Sequence, residues 1–155
     1  LDILVNNAGI GGGERVDELA IADWYRVFAV NLRGVFLVTR AAVPVMKERG
    51  GGHIVNIASV AGLVANPGIS AYNATKFGLM GFSESLMLEV RKEGIRVITI
   101  CPGSVDTGML RDQPMLKSNP QRILQPQDVA QAIVAAVQLP GRALVSEIDV
   151  RPTNP

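Results

Sequence analysis

Residues 53–100 read HIVNIASVAGLVANPGISAYNATKFGLMGFSESLMLEVRKEGIRVITI, and this stretch predicts two buried strands joined by a helix. HIVNIAS and IRVITI are short, mostly apolar runs of strand length. Between them, a loop through Pro67 leads to a helical segment from about Ser70 to Lys92. Parallel strands need long crossovers, which are usually helical. The stretch therefore indicates one strand–helix–strand unit of a parallel sheet.

The same alternation continues on both sides of this unit. LDILV at residues 1–5 is a predicted strand, followed by a Gly-rich loop and an apolar-periodic segment from about Ile21 to Arg49. After residue 100 come CPGSVDTG, an irregular stretch, a helix near residues 126–138 and a last strand, ALVSEIDV, at residues 143–150. We therefore expect an α/β fold in which residues 1–155 form a single domain.

Composition and charge narrow the class of function. The chain is 48% hydrophobic, and its 15 basic and 14 acidic residues leave a net charge of +1 without a basic stripe. This balance predicts no nucleic acid and no anionic membrane as a partner, and favours a small uncharged or mixed ligand. The longest apolar helical stretch, residues 27–38, contains Asn31 and Arg33, so we expect it to be too short to span a bilayer. No signal peptide is evident.

Cysteine usage excludes two further kinds of site. Cys101 is the only cysteine, so the chain has no internal disulfide framework and no cysteine zinc site. We predict no metal site. The thiol lies in an apolar run, which favours a packed and inert side chain. This usage fits a reducing, cytoplasmic location.

The sequence AYNATK carries the clearest chemical signal. Tyr72 and Lys76 are four residues apart on the predicted helix, so their side chains share one face. A tyrosine has an ordinary pKa of about 10, and moving it to about 7 requires roughly 4 kcal/mol. One ammonium at about 4 Å supplies roughly that amount at an effective dielectric constant near 20. Lys76 could thus tune Tyr72 for general acid/base catalysis, although such pairs also occur on solvated helix faces.

Other residues make the pair more specific. Ser59 ends the strand HIVNIAS thirteen positions before Tyr72, at the carboxyl edge of the sheet where open α/β folds bind ligands. Asn31 sits in an apolar helical stretch where asparagine is unfavourable. NNAG and PGSVDT follow two other strands. Together these features closely resemble the short-chain dehydrogenase/reductase family over nearly the whole chain.

The resemblance implies a partial Rossmann-type, doubly wound parallel sheet. Family sheets have strand order 3-2-1-4-5-6-7, and the four strands of this chain would be the fourth to seventh. Family members begin with a strand and a TGxxxGxG turn that binds the cofactor pyrophosphate at a helix N-terminus. Nothing of that kind precedes Leu1, and GIGGGE at residues 9–14 resembles the loop after the fourth strand instead. We therefore expect an N-terminally truncated domain whose cofactor is NAD or NADP, the selecting residues being absent.

The resemblance also implies a role for individual residues. Tyr72 would exchange a proton with the substrate oxygen, Ser59 would hydrogen-bond that oxygen, Lys76 would lower the tyrosine pKa and bind the nicotinamide ribose, and the backbone at Asn31 would hold a water linked to Lys76. The remaining cofactor contacts would come from Asn7, Gly9, Pro102, Gly103, Val105 and Thr107. The implied reaction is hydride transfer between nicotinamide and a ketone or secondary alcohol.

Several alternatives stay open. Taken singly, Ser59 could cap a turn and Asn31 could mark a fraying helix end. His53, the only histidine, enters a strand after three glycines and is interpreted as structural. Because IASVAG lacks the GxSxG elbow, a hydrolase ranks far below an oxidoreductase. The remaining candidates are a non-catalytic dinucleotide-binding or regulatory relative, and a fragment without activity of its own.

Two further segments carry predictions about substrate and assembly. Residues 107–126 form a long irregular stretch, which we expect to be a lid over a medium-sized apolar carbonyl substrate, the alternative being a disordered surface connection; its apolar members are Met109, Leu110, Met115 and Leu116. A stripe of small residues on the Tyr72 helix predicts close packing, either against a second copy or against the chain's own sheet; its members are Ala74, Gly78, Gly81 and Ser85. The family pairs this helix and the Asn31 helix across a two-fold axis, which implies a homodimer or homotetramer.

Overall fold

The computed structural model describes residues 1–111, 119 and 121–153. These contain one four-stranded sheet in which every neighbouring pair is parallel. The strands lie in the order β1-β2-β3-β4, and their bounds are Ile3–Asn6, Gly52–Ile57, Ile95–Pro102 and Glu147–Val150. The α/β fold and the parallel sheet predicted from the sequence are therefore confirmed.

Five α-helices connect the strands in the described part of the chain. They are α1 Ile21–Phe28, α2 Val35–Glu48, α3 Ser70–Val90, α4 Gly108–Arg111 and α5 Pro126–Val137. A π-helical segment, Ala29–Gly34, joins α1 to α2, and short 3₁₀ turns lie at Val60–Gly62 and Arg91–Glu93. The stretch expected to be irregular thus begins with the short helix α4, whereas residues 112–118 and 120 lie outside the described residues.

The last strand is shorter than predicted. ALVSEIDV was expected to be extended throughout, but β4 begins only at Glu147. The guanidinium of Arg96 on β3 donates to the carbonyl of Leu139 at 2.9 Å and to that of Ala143 at 3.3 Å. The Arg96 side chain therefore occupies the backbone carbonyl of Ala143, the first residue of the predicted strand.

The two faces of the sheet are covered by different helices. On one face, Ile54 and Val97 pack with Met46 of α2 and Leu86 of α3, and all four are at most 6% exposed. On the other face, Val55, Ile98 and Ile100 of the central strands pack against Ala136 of α5. On β1, an edge strand, Ile3 and Val5 leave 45% of their surface exposed. The side chains of β2 and β3, the two central strands, are thus the most completely buried. These two strands lead to Ser59 and Pro102.

The helical run from Ile21 to Glu48 corrects one prediction. The apolar stretch was expected to be too short to span a bilayer, but the π segment carries the helix through Asn31, giving 28 continuous residues that include an 18-residue window with a mean hydropathy of 1.4. By length and composition alone, this helix could cross a membrane. Core helices of soluble proteins pass the same test, so the feature is weak evidence for a membrane protein.

Candidate active site

The predicted catalytic residues converge at the carboxyl edge of the sheet. Parallel strands end at the same edge, so Asn6 at the end of β1, Ser59 just after β2 and Pro102 at the end of β3 lie side by side. The Ser59 hydroxyl is 3.5 Å from the Pro102 carbonyl oxygen, the outer limit of a hydrogen bond. Helix α3 lies against this edge and brings Tyr72 and Lys76 to it.

Lys76 is a buried cation. Its side chain is 5% exposed, and its Nζ donates to the carbonyl oxygen of Ile57 at 2.8 Å. Burial lowers the pKa of Lys76 to about 8, because the ammonium has lost most of its hydration. A buried ammonium with three donors and one backbone partner has two N–H groups left for a ligand.

The pKa of Tyr72 moves opposite to the direction predicted from the Tyr–Lys spacing. Burial raises this pKa, and a hydrogen bond with the Ser59 side chain offsets only part of the effect. The Nζ of Lys76 lies 5.5 Å from the centroid of the tyrosine ring and bonds to a backbone carbonyl. Desolvation therefore outweighs the favourable charge, and the phenol keeps its proton at neutral pH.

Ser59 has a local role in addition to its position beside Tyr72. Its Oγ accepts a hydrogen bond from the backbone N–H of Ala61 at 3.1 Å, which caps the 3₁₀ turn at Val60–Gly62. The turn-cap interpretation is thus correct for this hydroxyl. A hydroxyl has two acceptor sites and one donor, so the cap leaves the O–H as a donor, and both the Pro102 carbonyl and the Tyr72 side chain lie within its reach.

Asn31 joins the loop after β1 to the helix that carries Tyr72. Its carboxamide accepts from the N–H of Ile10 at 2.8 Å and donates to the carbonyl of Ile10 at 2.9 Å. It also donates to the Thr75 hydroxyl at 3.2 Å, and that hydroxyl donates to the Tyr72 carbonyl at 2.7 Å. Asn31 is 1% exposed and lies in the π segment, a helix irregularity frequent at functional sites.

Of the residues predicted to bind the cofactor, Gly9 lies nearest Lys76. A Cβ at Gly9 would be 3.5 Å from Asn31 Oδ1 and 3.8 Å from Lys76 Nζ, so the missing side chain leaves room beside the ammonium. Asn7 is exposed in the same loop.

The predicted contacts after β3 form a second group. Pro102 ends the strand beside Ser59, and the N–H of Gly103 donates to the Val150 carbonyl at 2.8 Å. Val105 forms an isolated bridge with Leu124, and the Thr107 hydroxyl donates to the Val105 carbonyl at 3.4 Å. These bonds fix the segment that follows β3, although no contact brings Val105 or Thr107 to Lys76.

Sequence reasoning missed a buried polar ladder below the site. Asn6 Nδ2 donates to Thr39 Oγ1 at 3.1 Å and to Asn56 Oδ1 at 2.8 Å, and Asn56 Nδ2 donates to Ser83 Oγ at 2.9 Å. The ladder ties α2, β1, β2 and α3 together, and all four residues are at most 8% exposed. Two asparagines in otherwise apolar strands were the available signal, since a buried amide needs partners.

Cys101 and His53, the only cysteine and the only histidine, take no part in the proposed acid/base chemistry. Cys101 is fully buried, burial raises its thiol pKa to about 11, and its Sγ lies 3.5 Å from Met80 Sδ. His53 lies near the start of β2, at the opposite end of the strand from Ser59, and burial and then the charge of Arg96 lower its pKa. Within the described ranges, no group of three or more His, Cys, Asp or Glu side chains is placed to hold a metal ion.

Comparison with known proteins gives consistent matches. Residues 1–116 match the family described as short chain dehydrogenase. A D-beta-hydroxybutyrate dehydrogenase of Rhizobium meliloti (strain 1021) is 47% identical over 112 residues, which cover 72% of this chain and 43% of that protein. The serine dehydrogenase of Escherichia coli superposes with a TM-score of 0.86 at 33% identity, over 98% of this chain and 64% of that structure.

A second structure adds a cofactor-bound state. The closed form of serine dehydrogenase complexed with NADP+ superposes with a TM-score of 0.89 at 32% identity, over 98% of this chain and 65% of that one. The chain thus spans between 43% and 65% of the length of these three proteins.

Proposed function

Because the chain belongs to the short-chain dehydrogenase family, we propose that it is the catalytic part of an NAD(P)-dependent oxidoreductase acting on a ketone or secondary alcohol. The observation that carries the proposal is the buried Lys76 ammonium, whose Nζ lies 5.5 Å from the centroid of the Tyr72 ring, with the Ser59 side chain beside the same tyrosine. A cation buried at a sheet edge has a desolvation cost, which is expected where it serves function. Activity is proposed for the full-length protein, since the chain covers less than two thirds of the first relatives.

Tyr72 is the proposed general acid and base. Its hydroxyl carries a proton at neutral pH, which it would donate to a carbonyl oxygen during reduction, although burial raises its pKa and makes it a weaker acid until a neighbouring charge offsets that effect. In the reverse direction the tyrosinate would take the proton from the alcohol. Ser59 would donate its hydroxyl hydrogen to the same oxygen, stabilising the charge that develops on it.

Lys76 and Asn31 are proposed to prepare the tyrosine. The Lys76 ammonium would stabilise the tyrosinate formed after proton donation, since opposite charges attract more strongly where water is excluded. Its two remaining N–H groups would bind ribose hydroxyls. The Asn31 backbone is proposed to hold the water that links Lys76 to solvent, while its side chain fixes the neighbouring loop.

The residues present fit a dinucleotide. Support comes from the space above Gly9, which a Cβ would partly fill, and from the unused Lys76 donors. Asn7 and Gly9 would line the adenosine-ribose side, whereas Pro102, Gly103, Val105 and Thr107 would hold the nicotinamide and its carboxamide. A bound nicotinamide cofactor supplies hydride to the reacting carbon or accepts it from that carbon. The closed serine dehydrogenase is complexed with NADP+, and for this chain either NAD or NADP is proposed.

The substrate is proposed to be a medium-sized apolar carbonyl compound. Met109 on α4 leaves 39% of its surface exposed and Leu110 is partly buried beside it, so one apolar side chain is available for a substrate contact. Met115 and Leu116 of the expected lid lie outside the described residues. A cytoplasmic location is proposed with the enzyme.

A homodimer or homotetramer is also proposed for the full-length protein. The small-residue stripe divides into two parts: a Cβ at Gly78 would lie 3.2 Å from Leu32 of the same chain, whereas a Cβ at Gly81 would meet nothing within 4 Å. Gly78 is thus used in packing within the chain, and Gly81 is open for a second copy. Exposed Phe77 and Leu88 on the same helix support an apolar interface there.

Two alternatives from other classes remain testable. The first is a non-catalytic dinucleotide-binding relative, and the second is that residues 1–155 have no activity by themselves. The second is supported by the open edge of β1, where Ile3 and Val5 are 45% exposed, since open edges favour aggregation over a defined cofactor site. We expect residues 1–155 alone to be poorly soluble and to bind neither NAD nor NADP in the millimolar range, as calorimetry would show.

The test of the function compares two tyrosine variants of the full-length protein. Tyr72→Phe keeps the ring and removes the proton, so turnover of a ketone with reduced cofactor should fall at least about a thousandfold. Tyr25→Phe is the matched control, because Tyr25 is the only other tyrosine and is 67% exposed on α1. It should leave turnover unchanged. Near-wild-type rates in Tyr72→Phe would contradict the proposal.

A further inference from the structure

The loop between Ser59 and Tyr72 lies beside both proposed catalytic groups. Residues 63–69 follow the turn capped by Ser59 and lead directly into α3. The loop is neither helix nor strand, and Gly68 has a left-handed φ of 78°. Val64 at its outer part is 54% exposed. A substrate held between Ser59 and Tyr72 would therefore be close to this apolar loop.

Asn73 is a buried amide that bonds to two points of this loop. The residue is 6% exposed and follows Tyr72 on α3. In the orientation that satisfies both neighbours, its Nδ2 donates to the Ile69 carbonyl at 3.2 Å and its Oδ1 accepts from the Asn66 N–H at 2.8 Å. One side chain thus bridges the middle of the loop and its end.

The backbone N–H of Asn73 also donates to the Ile69 carbonyl, at 2.9 Å, and few other bonds fix this part of the loop. Leu63 and Val64 are held by backbone bonds to the Val60 carbonyl, at the start of the loop. The Asn66 side chain bonds only within the loop, to the Val64 carbonyl at 3.3 Å. Among the residues that the structure describes, Asn73 is the one whose side chain joins residues 66–69 to another element.

We propose that Asn73 is a positioning residue that holds residues 63–69 as one wall of the substrate pocket. Asn73 and Tyr72 share the first turn of α3, so the clamp fixes the loop relative to the reacting hydroxyl. The residue does not touch the reacting atoms, and its effect on catalysis passes through the loop. The inference rests on the proposed oxidoreductase function. It adds a determinant of substrate binding that is separate from Ser59, Tyr72 and Lys76.

The experiment uses Asn73→Ala and Asn73→Asp in the full-length protein. Asn73→Ala removes both bonds, so exchange of the Asn66 amide hydrogen should become at least about tenfold faster, as in any local opening. Asn73→Asp keeps the acceptor for that amide and loses the donor to Ile69, so protection at Asn66 should be intermediate. Glu89→Gln is the control, because Glu89 is exposed near the other end of the same helix, far from the loop.

Kinetics then test whether the clamp positions substrate. The probes are D-3-hydroxybutyrate, L-serine and cyclohexanol, each with NAD and with NADP. In Asn73→Ala the KM for the best probe should rise at least about threefold, while kcat, the cofactor KM and the pH profile stay within about twofold of wild type. Glu89→Gln should leave all four unchanged.

The possible failures are distinct. Unchanged Asn66 exchange in Asn73→Ala would overturn the clamp. Faster exchange with an unchanged substrate KM would overturn its role in positioning. A wild-type protein that turns over none of the probes with either cofactor would instead count against the proposed function, and with it against any positioning of substrate by Asn73.

Discussion

The buried ammonium of Lys76 predicts that removing it stabilises the protein. Its pKa falls from 10.5 to about 8 on burial, so the charged form is less favourable in the folded state than in the unfolded state. At about 1.4 kcal/mol per pKa unit, the difference corresponds to about 3 kcal/mol near pH 7. Lys76→Met removes this penalty but also loses the bond to the Ile57 carbonyl, worth about 1 kcal/mol. The net expectation is a gain of about 2 kcal/mol in the free energy of unfolding.

The pH dependence gives this prediction a definite sign. Because the folded pKa is depressed, the wild-type penalty is fully present below about pH 8 and disappears as the pH rises toward the unfolded value of 10.5. The advantage of Lys76→Met should therefore shrink between pH 7 and pH 10 and end near zero or slightly negative. The variant should also lose turnover, since the proposed mechanism uses the cation.

Urea unfolding of the full-length, cofactor-free protein at pH 7 and pH 10 measures this effect. Lys92→Met is the control, because Lys92 is exposed after α3 and reports general effects of high pH. The assignment of Lys76 as a buried cation that destabilises the folded state would be refuted by either of two results. One is a Lys76→Met variant that is less stable than wild type at pH 7, and the other is a gain in the free energy of unfolding that is the same at both pH values.

Three further predictions concern the tyrosine, the cofactor cradle and the assembly. In ultraviolet difference titration of the cofactor-free protein against Tyr72→Phe, the Tyr72 phenolate should form at higher pH than the phenolate of free tyrosine, and Ser59→Ala should move its formation higher still, because burial raises the pKa of Tyr72 and the Ser59 bond lowers it; a phenolate that forms at lower pH than in free tyrosine would contradict this. Gly9→Val should raise the cofactor KM about tenfold by filling the space beside Lys76, whereas Gly141→Val, with nothing within 4 Å of its Cβ, should not. Gly81→Leu should shift the oligomer toward monomers in light scattering with little change in circular dichroism, and a wild-type monomer at micromolar concentration would exclude the assembly.

Much of the fold could be predicted from local sequence patterns. The strands around residues 54 and 98 are buried on both faces, so they read as continuous apolar runs. Helix α5 has a local start signal. Gln125 and Asp128 form a capping box, and Pro126 stands at the first position of the helix. The existence of these elements depends on residues within them, which is why their positions were predicted closely.

The parts that were missed depend on contacts between distant residues. The π segment at Ala29–Gly34 goes with the bonds of Asn31 to Ile10, 21 positions away, and the helical periodicity contains no trace of them. The short β4 goes with the bond from Arg96 to the carbonyl of Ala143, 47 positions away. Such effects are tertiary and override local preference.

The candidate site also has features that local sequence predicts and features that depend on distant contacts. The Tyr72 and Lys76 spacing indicated a shared helix face, and the structure has both side chains at one sheet edge. The direction of the Tyr72 pKa could not be predicted, because it depends on burial by elements far apart in sequence. The clamp of Asn73 was also missed, since an asparagine inside a helix is equally consistent with a solvated side chain.

Isotope transfer tests the central claim most directly. The full-length protein would be given a ketone and NAD(P)H that carries deuterium at both C4 positions of the nicotinamide, and the alcohol product would be analysed by mass spectrometry. The account predicts that wild type and Tyr25→Phe place one deuterium on the carbinol carbon, whereas Tyr72→Phe forms almost no labelled alcohol. No label in the wild-type product from either cofactor, or undiminished labelling by Tyr72→Phe, would contradict it.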